Sequence, residues 1–159
     1  MSPLPKHLRP RYRYLAVTLE AWPDASVDRE GFQSALVASV RGLFGDAGVA
    51  AAEPRVVRFS FEAGAGEAVV RTRRDAVETA RAGLAATGSI DGVTIAVCVR
   101  GISGTVRGCE EKYLQGRQLP NGESTVAFEG ADRPATVRGN RVDVQTEDAF
   151  AGATDLDLT

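Results

Sequence analysis

Between Arg13 and Glu20 apolar and polar positions alternate, with Leu15, Val17 and Leu19 on one face and Tyr14, Ala16 and Thr18 on the other. A period of two is the pattern of a half-buried strand. Pro23-Asp24 marks a turn. From Asp28 to Phe44 the period becomes helical, with Phe32, Leu36, Val40, Leu43 and Phe44 on one stripe. Ser26 or Asp28 can cap the start of this helix and Gly45 can stop it. Residues 46–52 read as a connecting segment with room for a helical turn. Arg55 to Phe61 alternates again, placing Val57, Phe59 and Phe61 on one face. A Gly-rich turn follows at Ala63-Gly64-Ala65-Gly66, and Glu67 to Arg73 returns as the second strand of a hairpin, with Ala68, Val70 and Thr72 on one face. Asp75-x-x-Glu78 reads as a variant capping box opening a helix over 75–87, with Val77, Ala80 and Leu84 as its apolar stripe and Gly88 as its end. Val93 to Val99 is a further strand.

The order β-α-β-β-α-β is that of an α+β, ferredoxin-like (RRM-like) split βαβ sandwich. It predicts a four-stranded antiparallel sheet in strand order 4-1-3-2 with helices 28–44 and 75–87 on one face. The helix-side core is expected to hold Leu15, Val17, Leu19, Val57, Phe59, Phe61, Val70, Ile95 and Val97 against Phe32, Leu36, Val40, Val77 and Leu84. Alternation assigns Tyr14, Arg58, Val69, Arg71, Arg73, Cys98 and Arg100 to the other face. Val106, Cys109 and Tyr113 recur at helical spacing, so a short helix over Thr105 to Leu114 can pack on a sheet edge or on that second face. Beyond Gln115 turn signals dominate, although Ser124 to Phe128 and Thr136 to Val144 have strand character. The expected division is an α/β domain over 1–115 and an acidic, flexible C-terminal extension over 116–159.

Charge changes this picture. The formal net charge is −2, but residues 1–114 carry +2 and residues 115–159 carry −4. The first thirteen residues hold Lys6, Arg9, Arg11 and Arg13 and no acid, a basic arm of the kind that meets nucleic acid. Arginines projecting from one sheet face could extend it into a phosphate-binding surface; a solvated sheet face is the plainer alternative. Chemistry carried by side chains is nearly excluded. His7 is the sole histidine, the Ser103 context is not a nucleophile elbow, there is no phosphate loop, and no acidic pair or ligand cluster stands out. Catalytic residues and metal ligands are therefore expected to be absent. Cys98 and Cys109 are both read as small buried hydrophobes. No targeting or membrane-length apolar segment is apparent, which makes the cytoplasm the expected location.

Two motifs carry a family resemblance. Gly101-Ile102-Ser103-Gly104-Thr105-Val106, followed by Cys109, Lys112, Tyr113 and Leu114, resembles the C-terminal signature of protein component 2 of archaeal ribonuclease P, a family shared with the eukaryotic RNase P and RNase MRP particles. The opening Pro3-Leu4-Pro5-Lys6-His7-Leu8-Arg9-Pro10 followed by Arg13-Tyr14-Leu15 is similar to the start of that family. The resemblance spans roughly residues 3–114. It implies a non-catalytic subunit of the endonuclease that removes the 5′ leader from precursor tRNA. The active site and its Mg²⁺ would lie on the RNA subunit, with no cofactor on the protein. The implied partners are RNase P RNA, a TIM-barrel protein subunit, precursor tRNA as substrate of the holoenzyme, and a second copy of the chain within a heterotetramer; no membrane is implied. Lys6, Arg9, Arg11, Arg13, Arg58, Arg71, Arg73, Arg100, Arg107 and Lys112 are the expected RNA contacts. Glu110 and Glu111 stand where the family usually has cations. They, the acidic end and the scarcity of lysine suggest a salt-adapted archaeal source. The alternatives from other classes are an ACT-type small-molecule regulatory domain, against which the glycine-free loop Ala21 to Ala25 counts, and a protein assembly module without RNA contact.

Overall fold

The computed structural model describes residues 3–114, 122–138, 141–147 and 150–153. A single 3-10 turn, Lys6–Leu8, precedes β1 (Tyr12–Glu20). Then follow α1 (Arg29–Ala52), β2 (Arg55–Glu62), β3 (Ala65–Arg73), α2 (Val77–Ala85), the short β4 (Ser89–Ile90) and β5 (Val93–Thr94), β6 (Ala96–Ser103) and α3 (Val106–Tyr113). The main sheet has the order β2-β3-β1-β6, all antiparallel. With β6 as the fourth long strand this is the expected 4-1-3-2 arrangement.

One face of the sheet packs on α1 and α2. Leu15, Val17, Leu19, Val56, Ala68 and Val70 meet Phe32, Leu36, Val40 and Leu84 in a continuous buried cluster, with Phe59, Phe61, Val97 and Val99 packed against it. Burying each of the large side chains is worth about 1.5–3 kcal/mol. Val57, expected in this cluster, is not there. A bulge between Val56 and Arg58 leaves Val56 opposite Val70 and Arg58 opposite Val69, so Val56 takes the core place and Val57 turns to the other face. A matching irregularity where β1 meets β6 pairs Ala16 with Gly101 and Val17 with Val99, leaving Arg100 as the extra residue.

Helix boundaries also differ from expectation in instructive ways. Asp28 caps α1, its carboxylate accepting from the Gly31 amide at 2.7 Å. Gly45 breaks the helix, at φ 72°, but the chain resumes helical geometry to Ala52, so 46–52 is a second helical stretch rather than a connector. Because the axis kinks there, Leu43 and Phe44 leave the core and are 53% and 45% exposed. By length and mean hydropathy α1 passes the minimum for a membrane span, but its buried stripe of Phe32, Leu36 and Val40 packs on the sheet. The Asp75 capping box does not form. A 3-10 turn over Arg74–Ala76 intervenes and α2 opens at Val77 with no side-chain cap. The strand expected over 93–99 is split before Ala96 and runs on to Ser103.

α3 lies on the second face of the sheet. Cys109, Ala16 and Val69 are fully buried there, with Tyr14, Val57, Val106 and Leu114 around them. Cys98, by contrast, is exposed, which corrects its expected burial: it faces this side beyond the cover of α3.

Within the expected flexible extension over 116–159 the described residues form strands, while 116–121, 139–140, 148–149 and 154–159 lie outside the described residues. β7 (Gly122–Phe128), β8 (Ala131–Arg138), β9 (Arg141–Gln145) and β10 (Phe150–Ala153) form an antiparallel meander in the order β10-β9-β8-β7. Ala135, Val142, Val144 and Ala153 are its buried centre, joined by Val126, Phe128 and Val137. The apolar residues of 122–153 are small and sparse, which is why their pattern is weak along the chain, but cross-strand pairing collects them on one face.

Candidate nucleic-acid interface

The β1–β3–β2 register brings arginines together at one end of the sheet. Tyr12 pairs with Arg73, and Arg55 sits directly opposite Arg71. Like charges opposed across a ladder repel, so this arrangement favours an anion. The Tyr12 ring organises the group: the Arg71 guanidinium lies 4.5 Å from its centroid and that of Arg73 5.8 Å. Arg71 Nε is buried with no hydrogen-bond partner. Arg73 Nε donates to the Glu53 carboxylate at 2.5 Å, and this contact holds the Glu53 carboxyl below its usual range. The Arg74 amide donates to the Arg11 carbonyl at 2.9 Å, which ties the basic arm to the same corner. Arg11, Arg73, Arg74 and Asp75 line an open hollow of ≈ 360 Å³. Glu53, bonded to Arg73, and Asp75, on the wall of the hollow, stand beside the cations Arg11, Arg55, Arg71, Arg73 and Arg74.

The other expected contacts are distributed differently. Arg58 pairs with Glu110 at 3.6 Å and Arg107 with Glu111 at 2.6 Å. Glu110 and Glu111 thus engage the cations on and beside α3. Arg100 donates to Thr18 Oγ1 at 3.1 Å on the far half of the sheet. Lys112 is exposed in the last turn of α3. In the arm, Arg9 Nε donates to the Leu4 carbonyl at 2.7 Å, and Lys6 lies exposed in the 3-10 turn. Arg13 is half-buried near Gly104. The sheet face is therefore not an open platform, because α3 covers its centre and the arginines gather at its end. Arg55 and Arg74 belong to that corner and fall outside the set expected from the sequence. Pairing the hairpin about Ala63-Gly64 could have found Arg55, but the bulge at Val57 shifts the count by one.

The Gly101–Lys112 signature builds the seat of α3. The Tyr113 ring occupies the space a Cβ on Gly101 would need, 2.3 Å from that position. Thr105 caps the helix, its Oγ1 accepting from the Gly108 amide at 2.9 Å. A side chain at Gly108 would strike Ser103 Oγ at 2.1 Å. The Cys109 thiol donates to the Tyr14 carbonyl at 3.3 Å, and burial pushes it up from its usual range.

Residues 13–114 match the model of the Rpp14/Pop5 family. The chain belongs to that family. The match starts at β1 and ends with α3, so the family is defined on the main sheet and its three helices. A relative from Natronomonas pharaonis, described as ribonuclease P protein component 2, is 56% identical over 99% of this chain and 98% of its own length. Relatives of the same description from Archaeoglobus fulgidus and Methanosarcina mazei are 32% and 35% identical over 72% of this chain, covering 99% and 94% of their own lengths. Those two have no counterpart for about a quarter of this chain, whereas the Natronomonas relative matches it throughout.

Proposed function

We propose that this chain is a non-catalytic protein subunit of ribonuclease P that holds the RNA of that enzyme through phosphate contacts at the Arg55/Arg71/Arg73/Arg74 corner and the adjoining arm. Family membership supports the role, and the observation that carries the surface is the Tyr12-centred arginine group with its buried, unpartnered Arg71 Nε. Such contacts fix position rather than read sequence. In this reading the cleavage of precursor tRNA and the Mg²⁺ it uses belong to the RNA. The chain acts in the cytoplasm beside a TIM-barrel protein subunit, and a second copy of the chain completes a heterotetramer.

The test is a salt titration of binding to the RNA subunit. For each phosphate that is no longer neutralised, the slope of log affinity against log salt should fall by roughly 0.7–0.9. Replacing Arg71 and Arg73 by Ala should lower slope and affinity together. Arg58→Ala, whose cation is paired with Glu110, should change them less. An unchanged slope in the double variant, with its melt intact, would remove this corner from the RNA interface. Cleavage of precursor tRNA by rigorously RNA-free protein would overturn the non-catalytic role.

A further inference from the structure

Glu53 stands at a backbone position made for glycine. It follows α1 with φ 45° and ψ 53°, in the left-handed region, which glycine enters freely and a residue with a side chain does not. Pro54 comes next, and the residue before a proline is pushed toward extended geometry as well. Three hydrogen bonds hold this strained turn. The Glu53 amide donates to the Val49 carbonyl at 2.9 Å, Thr72 Oγ1 to the Ala52 carbonyl at 2.8 Å, and Gln33 Nε2 to the Pro54 carbonyl at 3.0 Å. Strain kept in place by its surroundings is a feature of working sites.

What the turn delivers lies across the ladder. Arg55 is opposite Arg71, so the chain two residues earlier comes beside Arg73, and Glu53 Oε2 accepts from Arg73 Nε at 2.5 Å. An arginine carries one N–H on Nε and two on each terminal nitrogen. An acceptor at Nε therefore leaves the Nη1 and Nη2 end of the guanidinium for a second anion. Among the described residues Arg73 makes no other hydrogen bond. The Tyr12 ring, 5.8 Å away, holds the guanidinium from another side. Arg73 lines the open hollow with Arg11, Arg74 and Asp75, and Glu53 does not. The carboxylate is thus off the wall that an incoming anion meets.

We propose that Glu53 is a positioning residue of the RNA interface: it clamps Arg73 by Nε and so presents the Nη1 and Nη2 fork to two oxygens of one phosphate. This rests on the RNA-binding corner proposed above. The clamp and simple charge predict opposite signs. An acid beside an RNA site lowers its positive charge, so charge alone has RNA binding tighten when Glu53 is removed. The clamp has it weaken, because an untethered arginine loses rotamer freedom on binding, whereas a tethered one is already in place for a bidentate contact. The device also suits high salt. At ~1 M the Debye length is about 3 Å, so a carboxylate in contact with Arg73 still orients it, while its repulsion of more distant phosphates is screened.

The experiment compares RNase P RNA binding by the full chain as wild type, Glu53→Ala and Glu53→Gln, in salt titrations between ~0.1 and ~1 M with a melt of each. Both variants remove the same charge, but Gln keeps an acceptor oxygen for Arg73 Nε. Glu53→Ala should weaken binding about two- to tenfold, the range for immobilising one long side chain. Its salt slope should fall by up to roughly 0.7–0.9, one phosphate contact. Glu53→Gln should stay within about twofold of wild type. If Glu53→Ala melts early, Glu53→Gly removes the same acceptor and suits the left-handed backbone. Binding by Glu53→Ala or Glu53→Gly as tight as wild type, or tighter, overturns the clamp. So does equal weakening in the Gln and Ala variants. If Arg71→Ala/Arg73→Ala weakens binding while Glu53→Ala does not, the RNA-binding corner survives and the clamp alone falls. If that double variant binds like wild type with its melt intact, both proposals fall.

Discussion

Glu53, just past the end of α1, holds a left-handed backbone at φ 45° and receives Arg73 on its carboxylate. The sign of its effect on stability follows from its lowered carboxyl. Above the ordinary carboxylate range, near pH 4, the ion pair is complete. As pH falls through and below that range the unfolded chain takes up the proton first, and the contribution is lost. A melt series of wild type and Glu53→Gln should therefore differ at neutral pH and converge below about pH 4. The two cysteines give a second residue-scale outcome. Cys98 is exposed, whereas Cys109 is buried with its thiol pushed up. A maleimide at neutral pH should label Cys98 in the folded protein and Cys109 only after denaturant, because both access and thiolate fraction are reduced at Cys109. Two labels under native conditions would mean that α3 lifts off the sheet. The sequence presents these thiols alike because both sit in apolar runs. What separates them is α3, whose place on the second face is a tertiary fact that periodicity does not contain.

Elements were readable where one stripe faced one core, and they failed where the backbone broke its period. All four long strands and both core helices follow from alternation and helical spacing, and so does their order. Val57 failed because a bulge adds a residue to β2, and a single extra residue exchanges the two faces downstream unless the pattern absorbs it. Leu43 and Phe44 failed because the Gly45 kink ends the stripe before they can join it. The contact between α1 and α2 allows a sharper test. Gly83 of α2 presses on α1, and a Cβ there would lie 2.4 Å from Val40 Cγ2. Val40 is fully buried and β-branched, so it cannot swing away. Gly83→Ala gains up to about 1 kcal/mol of helix propensity but incurs overpacking of about 1–3 kcal/mol. A denaturant titration should show net destabilisation, and in a double-mutant cycle the Gly83→Ala cost should be much smaller in a Val40→Ala background, although Val40→Ala is itself destabilising. Stabilisation by the single variant would mean that the helices separate more easily than their packing implies.

At the scale of the whole molecule the two ends of the main sheet differ: arginines gather at the Tyr12 end, and the β7–β10 sheet is fastened at the Glu20 end. The sequence shows the imbalance between 1–114 and 115–159 but not the fastening, because Arg138 reads as one more surface cation until the ladder places it beside two carbonyls 74 and 117 residues away. Two opposing effects set its contribution. Arg138 is desolvated, and its Nη1 finds no partner, so it gives back part of what its other bonds contribute. Removing it would leave the Asp143 carboxylate, 16% exposed, with Arg141 Nε at 3.7 Å as its remaining ion pair, and the Ala21 carbonyl without that donor. Removing one partner of a buried pair usually costs 3–5 kcal/mol; with the unpartnered Nη1 set against it, Arg138→Met should cost about 2–4 kcal/mol. The effect should be local. Among the described residues the main-sheet core is a separate apolar cluster from that of the small sheet, and local opening follows such divisions. Hydrogen exchange should therefore show β8 and β9 amides losing protection in Arg138→Met while those of β1 and β3 keep theirs. Equal loss of protection in both sheets would mean that they open as one unit, and none in either would mean that the small sheet is held by interactions other than this arginine.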